Sequence, residues 1–253
     1  MQHLLLSGEN HTGKTAGDIM YPDKACSDHL LRSLRMRIGD ELTVSDGIGG
    51  NFTARITAVS DGRVELLLTG EDIVQRELPA DLHLFQGVPK GDKMDRIIRQ
   101  ATELGAVSVT PLLMNRCVVK LKAERTAKKF ARWQQIADEA AHQSKRQRRL
   151  VVHEPITVGT LCERAGIYDR LLLPYEASAG MACGEPAETA SDLSEKRIRS
   201  VGIVIGPEGG ITSTEVAMLT AAGARICSLG SRILRTETAG PALLARLMLS
   251  LEE

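Results

Sequence analysis

Aromatic side chains are the scarcest resource of this chain: one tryptophan, three tyrosines and three phenylalanines, 3% of 253 residues. Its core must therefore be built from Leu, Ile, Val and Ala. Stacking of bases on exposed aromatic rings is excluded as a main mode of nucleic-acid recognition. No apolar run reaches the ~18 residues a membrane helix needs, and the N-terminus lacks the pattern of a secretory signal. Five cysteines (Cys26, Cys117, Cys162, Cys183, Cys227) are an odd number with no CxxC pair, and six histidines show no metal-ligand spacing. That favours reduced thiols over a disulfide framework or a zinc site. The expectation is a soluble cytoplasmic protein with no membrane partner and no metal.

A surplus of charge is also missing, with 32 basic against 32 acidic residues. Indiscriminate binding to nucleic acid is excluded on that balance, but the distribution is uneven. Between Asn115 and Leu150 stand eleven Lys or Arg and only three acids. Such asymmetry is the footprint of a polyanion partner. A solvated helix face would produce the same count, so the segment needs a second argument.

The length admits one large or two smaller domains. Residues 1–72 read as a small β domain. Glu41 to Val44, Phe52 to Val59 and Arg63 to Leu68 are β-prone runs, separated by Asp46-Gly47, Gly49-Gly50 and the hairpin signal Asp61-Gly62. A short helix is expected over Asp28 to Met36, carrying Arg32 and Arg35. Gly8 to Thr15 matches the phosphate-binding P-loop pattern by letter. That loop works only where a helix starts at its lysine. Gly17 and Pro22 would stop such a helix within two turns, and no βαβ repeat follows. A loop of the β domain is the better reading.

From 73 to 253 the grammar changes to strand, turn, helix. Gly70 to Ala80 reads as a linker. Leu82 to Val88 is a strand, Pro89-Lys90-Gly91 a turn, and Asp92 the expected cap of a helix with Met94, Ile97, Ile98, Ala101 and Leu104 on its apolar face. Val107 to Leu113 is the next strand. A long helix is expected over Ala123 to Ser144, with Trp133 in the core, running into Lys145-Arg146-Gln147-Arg148-Arg149. These four cations, with Lys93, Arg32 and Arg35, are the candidate RNA phosphate contacts. Leu171 to Leu173 is a further strand, and Ala177 to Ser200 shows no apolar period and reads as a mobile loop.

The densest information lies between Val201 and Ala239. A buried-type strand, Val201 to Ile205, runs into Gly206-Pro207-Glu208-Gly209-Gly210, and Thr212 with Glu215 has the spacing of a capping box. Gly223 is placed to stop that helix. A second strand over Ala224 to Leu229 leads into Gly230-Ser231-Arg232-Ile233-Leu234-Arg235-Thr236-Glu237-Thr238, and Pro241 is expected to open a last helix as its first residue. Parallel α/β sheets bind ligands beyond the carboxyl ends of their strands, where both polar loops fall.

The pair Gly206-Pro207-Glu208-Gly209-Gly210 and Leu229 to Thr238 resembles the signature of the RsmE family, bacterial SPOUT-superfamily methyltransferases acting on N3 of a uridine in 16S ribosomal RNA. Asn115 to Lys120 and Glu139 to Arg146 are similar to further family motifs. His29, Leu30, Arg32, Leu34, Arg35, Gly39 and Asp40 fit the family's N-terminal PUA-like barrel. The resemblance implies an α/β fold: a C-terminal SPOUT domain with a trefoil-knotted parallel sheet, preceded by the RNA-holding barrel. It implies S-adenosyl-L-methionine as methyl donor, held by three loops: Leu173, Pro174, Tyr175 and Glu176; Gly206, Pro207, Glu208 and Gly209; and Ser228, Leu229, Gly230, Ile233, Leu234, Arg235, Thr236 and Thr238. A homodimer is implied as well.

Transfer to N3 needs the base placed behind an electrophilic methyl group and help with a weakly acidic proton. Glu208 and Glu237 are the candidate bases, Arg235 and Arg116 the candidate stabilisers of the uracil anion. Each glutamate could equally tie a loop. Two alternatives stay open at this point: another SPOUT activity such as ribose 2′-O methylation, and a non-catalytic ribosome-assembly factor.

Overall fold

A computed structural model describes residues 2–6, 13–118, 123–175 and 198–252. The chain divides into two compact units, Met1–Glu77 with Ala141–Arg149, and Leu78–Ala140 with Leu150–Glu253.

The first unit is built on a five-stranded sheet. β1 (Gln2–Leu5) pairs in parallel with β3 (Glu41–Ser45), which continues antiparallel into β4 (Asn51–Ser60) and β5 (Arg63–Glu71). β2 (Ile19–Met20) closes the far edge against β5. Asp61 (φ 51°) and Gly62 (φ 72°) both take the left-handed conformation that a two-residue hairpin demands. Alternate residues Leu42, Val44, Ala54, Ile56, Val64, Leu66 and Leu68 form the core with Leu4, Met20 and Leu30.

Two local expectations differ here, at the first helix and at the linker. The helix starts earlier, as α1 (Lys24–Asp28), because the Asp23 carboxylate accepts the Cys26 amide at 2.7 Å and caps it. It passes into one π-helical turn, His29–Ser33, and the chain leaves at Arg35 with φ 54°. β5 runs on to Glu71, through the start of the expected linker, because β4 continues to offer it partners. At the P-loop look-alike, Lys14 and Thr15 are not helical; Thr15 turns instead onto the Asp18 carboxylate. Gly8 to Thr12 lie outside the described residues.

The second unit carries a parallel sheet in the order β12-β10-β11-β6-β7-β8, with β9 beside β7. In chain order its elements are β6 (Asp81–Gly87), α2 (Lys93–Glu103), β7 (Ala106–Leu113), α3 (Ala123–Gln143), β8 (Val151–Val152), β9 (Ile156–Thr157), α4 (Val158–Arg164), β10 (Arg170–Pro174), β11 (Ser200–Ile205), α5 (Ser213–Ala221), β12 (Arg225–Cys227) and α6 (Thr236–Glu252). The last turn of α3 belongs to the first unit. Leu84, Leu172 and Ile203 belong to one apolar cluster, while their neighbours Phe85, Leu171 and Val204 belong to another. The strands are thus buried on both faces, which is why they read as unbroken apolar runs. Trp133 is in the first of these clusters, its indole N–H donating to Asp95 at 3.0 Å.

The Thr212–Glu215 capping box is present with both of its reciprocal bonds. Asp92, by contrast, occupies the cap position of α2 without a side-chain cap bond. The last helix also departs from expectation: α6 begins at Thr236, and Pro241 lies buried inside it. A proline there forgoes one backbone bond. The preceding turn holds because the Arg235 carbonyl takes the Thr238 and Ala239 amides at 2.8 and 2.9 Å. Residues 177–197, most of the expected loop, fall outside the described residues. Among those described, no helix is long and apolar enough to cross a membrane.

Candidate active site

Four adjacent parallel strands, β12, β10, β11 and β6, end on one edge of the second unit, and the expected loops leave from those ends. Pro174 is in register with Cys227, and the Tyr175 amide donates to the Cys227 carbonyl at 3.2 Å, so the turn after β10 lies against the start of the Ser228 loop. Gly206-Pro207 presses against the end of β6: a Cβ on Gly87 would lie 2.5 Å from the Pro207 nitrogen, so no other residue fits there. Thr236 donates its hydroxyl to the Gly206 carbonyl at 2.6 Å, joining the third loop to the second. The first loop is thus held to the start of the third through the backbone at Tyr175 and Cys227, and the third to the second through the Thr236 hydroxyl. Glu176 lies outside the described residues.

From Ser228 onwards the third loop is open. Gly230 has φ 103° and closes a turn in which its amide donates to Ser228 Oγ at 3.1 Å. Ser231, Arg232, Ile233, Arg235 and Thr238 are exposed, Ile233 to 77%, and Leu234 is half-buried. Among the described residues, no hydrogen bond involves the backbone of Ser231 to Leu234. Unpaired amides and carbonyls beside the apolar Leu229 and Tyr175 can read the edge of a heterocycle at close range.

Charge enters the site through one lysine shared by two acids. Lys93 Nζ is 2.9 Å from Glu208 and 3.3 Å from Glu237. Partial burial pushes the Glu208 carboxyl up, but Lys93 and the amide of Lys90, which donates to it at 3.0 Å, hold it below its ordinary value. Glu237 is held low first by its own amide at the start of α6, then by Lys93. Lys93 is raised in return, chiefly by Glu208. The expectation that Lys93 grips phosphate meets a physical objection: its ammonium is already held by two carboxylates.

Arg116 is committed as well. Its Nη1 donates to the Gly209 carbonyl at 3.0 Å, and its side chain packs so closely on Gly209 that a Cβ there would lie 2.9 Å from its own. Next to it the Asn115 amide donates to Glu215 at 2.7 Å, so the capping box of α5 also ties down the loop after β7. Arg235 is exposed, and among the described residues its guanidinium forms no ion pair.

The cationic segment after α3 is part of the first unit. Arg146 departs from expectation: it is 3% exposed, its guanidinium turned inward onto Glu77 with Nη2 2.7 Å from Oε2. The phosphate role is withdrawn from it, since a buried, fully paired guanidinium cannot reach solvent. Lys145 is exposed, and Arg148 and Arg149 are half-exposed. Arg32, also exposed, lies 3.2 Å from Asp28, and Arg35 is exposed in the same unit. Beneath the segment, His3 Nε2 meets the Arg146 carbonyl at 2.9 Å, and burial pulls this imidazole below its ordinary 6.5. The unfolded chain then takes up the proton first, so stability is expected to fall as pH drops below about 6.5. A melting temperature unchanged between about pH 7 and about pH 5 would contradict that.

Sequence reasoning missed Gln86, Glu77 and the sharing of Lys93. Gln86 did leave a signal, as a lone amide inside an apolar strand, whereas nothing local marks Glu77, whose partner is 69 positions away.

Comparison with known proteins joins these features. A profile for an RNA methyltransferase domain matches residues 76–248, and one for an RNA methyltransferase PUA domain matches residues 27–69. The ribosomal RNA small subunit methyltransferase E of Bacillus subtilis (strain 168) is 37% identical over 212 residues, covering 83% of this chain and 82% of that protein. Its Synechocystis namesake is 36% identical over 224 residues, covering 88% and 71%. The crystal structure of the Neisseria gonorrhoeae enzyme of that name, bound to S-adenosyl methionine, superposes with a TM-score of 0.79 at 30% identity, covering 98% of this chain and 97% of that one. Matches to both domain profiles and identity sustained over most of the length make this chain a member of the ribosomal RNA small subunit methyltransferase E family.

Proposed function

We propose that this protein transfers a methyl group from S-adenosyl-L-methionine to N3 of a uridine in 16S ribosomal RNA. The observation that carries the reading is the meeting of three loops at the carboxyl edge of β10, β11 and β12, with two carboxylates and an open stretch of backbone. Those features fit a sulfonium cofactor bearing an adenine. Leu173, Pro174 and Tyr175, the Gly206 turn, and Ser228 to Leu234 with Thr238 would hold it, and Glu208 and Glu237 would favour its positive charge. When bound, it supplies an electrophilic methyl group.

The chain's own residues would then orient the base and manage its proton. Arg235, exposed at the mouth, would stabilise the uracil anion formed when N3 loses its hydrogen. Glu237 and Glu208 would stay ionised at neutral pH and would accept that proton with little driving force, since an efficient base has a pKa near the working pH. Arg116 would serve by fixing the Gly209 turn. The base must be reachable, so the target lies in a single-stranded or flipped-out position. A cytoplasmic homodimer with a knotted C-terminal segment belongs to the same proposal, on the ground of family membership.

Radiolabelled methyl transfer to small subunits lacking the modification tests the reading, with the modified atom located by mass spectrometry. Label on a ribose oxygen, or none at all, would overturn it.

RNA would be gripped by the first unit through Arg32, Arg35, Lys145, Arg148 and Arg149. Neutralising Lys145, Arg148 and Arg149 together, with Arg146 left in place, is expected to lower the slope of log affinity against log salt by about 2. An unchanged slope would remove them from the interface.

A further inference from the structure

Gln86 is wholly buried near the end of β6, with one hydrogen bond to the neighbouring backbone and one to a side chain of α6 that goes on to a third segment. Its Nε2 is 3.0 Å from the carbonyl of Gly87 and 2.9 Å from Thr236 Oγ1, and Thr236 Oγ1 is 2.6 Å from the carbonyl of Gly206. The protons fit only one way. Both carbonyls are acceptors, and a threonine hydroxyl has a single proton, which its shorter contact gives to Gly206. Thr236 therefore accepts from Gln86, and the two protons of the amide nitrogen go to Gly87 and Thr236.

The amide oxygen is then left over. Gln86 Oε1 is buried with no hydrogen-bond partner, close to the space that Gly240 leaves by having no side chain; a Cβ there would lie 3.6 Å from it. An unpaired buried acceptor is destabilising, and a methionine of similar volume would carry no such burden. A glutamate would set oxygen against oxygen at both Gly87 and Thr236. Packing alone thus does not account for an amide here, whereas the network it completes does.

That network joins the end of β6, the turn after β11 and the first residue of α6. We propose that Gln86 is a positioning residue, which through Thr236 fixes the Gly206 turn and the start of α6 in the arrangement that receives the cofactor. It does not touch the reacting atoms. The inference rests on the reading of these loops as the S-adenosylmethionine pocket.

The test uses Gln86→Met, Thr236→Val, their double variant, and Thr236→Ser, which keeps the hydroxyl. In the free protein, hydrogen exchange should accelerate together at Gly206 to Gly210 and at Thr236 to Ala239 in the Met and Val variants, with the remaining protection unchanged; the Ser variant should resemble the parent. By calorimetry, S-adenosylmethionine should bind about tenfold more weakly to each of the Met and Val variants, and no more weakly to the double variant than to the worse of them. Parental exchange at both loops in Gln86→Met, or losses that multiply in the double variant, would overturn the proposal. If Gln86→Met fails to fold, the comparison of Thr236→Val with Thr236→Ser decides, and equal behaviour of those two refutes the network. Should the parent protein bind no S-adenosylmethionine, the cofactor reading fails, and the exchange result still settles whether Gln86 holds the loops.

Discussion

Arg235→Ala is expected to reduce the rate constant for methyl transfer by about 10²–10³-fold while the melting temperature stays where it was. The two halves of that expectation have different sources. Stability should hold because the Arg235 guanidinium is exposed and forms no ion pair among the described residues, so truncation removes no buried partner. The feature that matters to the fold at this position is the main-chain carbonyl, which takes the Thr238 and Ala239 amides and which alanine keeps. Activity should fall because a uridine N3 must lose its proton, and of the two cations assigned to the anion Arg116 is bonded to Gly209, which leaves Arg235. Arg235→Lys should recover part of the rate, since a point charge replaces a planar donor. Single-turnover transfer to unmodified small subunits, with a thermal melt of the same samples, reads both halves. A parental rate in Arg235→Ala would place the anion-stabilising charge elsewhere.

Arg116 makes a useful contrast, because it and Arg235 carry the same role on sequence grounds and the structure separates them. Truncating Arg116 opens the contact with Gly209, so it acts on the shape of the turn before any effect on the reacting base. The distinction was invisible in the chain because it depends on where a side chain of the β7 loop comes to rest, against a turn 93 positions later. Local chemistry, by contrast, was legible. The capping box at Thr212, the hairpin at Asp61-Gly62 and the apolar strands were each decided within a few residues, and each is present. Pro241 shows where local rules lose. Its preference for the first position of a helix was real, yet the turn before it was already fixed by Arg235 and Thr236, and tertiary contacts outweighed the lost bond. Arg146 failed for another reason: charge counting cannot tell a cation facing solvent from one facing an acid, and Glu77 lay far outside the window in which the basic cluster was counted.

The second large effect follows from that pair. Glu77 takes Arg146 Nε at 2.9 and 3.1 Å and Nη2 at 2.7 Å, and its Oε1 also accepts the amides of Gln147 and Arg148 at 2.7 and 3.0 Å. The two side chains are only 4% and 6% exposed. Glu77→Ala would leave a buried guanidinium without its countercharge and two amides without their acceptor, a loss of about 3–5 kcal/mol. Arg146→Ala should cost less, since the carboxylate it strands keeps both amide donors. Burial alone would raise the Glu77 carboxyl, but the bonds from Arg146 and the two amides bring it below its ordinary 4.5. Its share of the stability is therefore present above about pH 4.5 and is lost as acid carries the pH down through the folded value. A consequence for RNA separates this account from simple charge counting. Removing an acid beside Lys145, Arg148 and Arg149 would raise affinity for a polyanion if net charge governed binding. If Glu77 instead holds the segment that presents those cations, Glu77→Ala should weaken RNA binding in the fraction that remains folded. Chemical denaturation gives the first number and a salt-controlled binding titration the second. Parental stability, or tighter binding, would show that the buried pair does not organise the cationic surface.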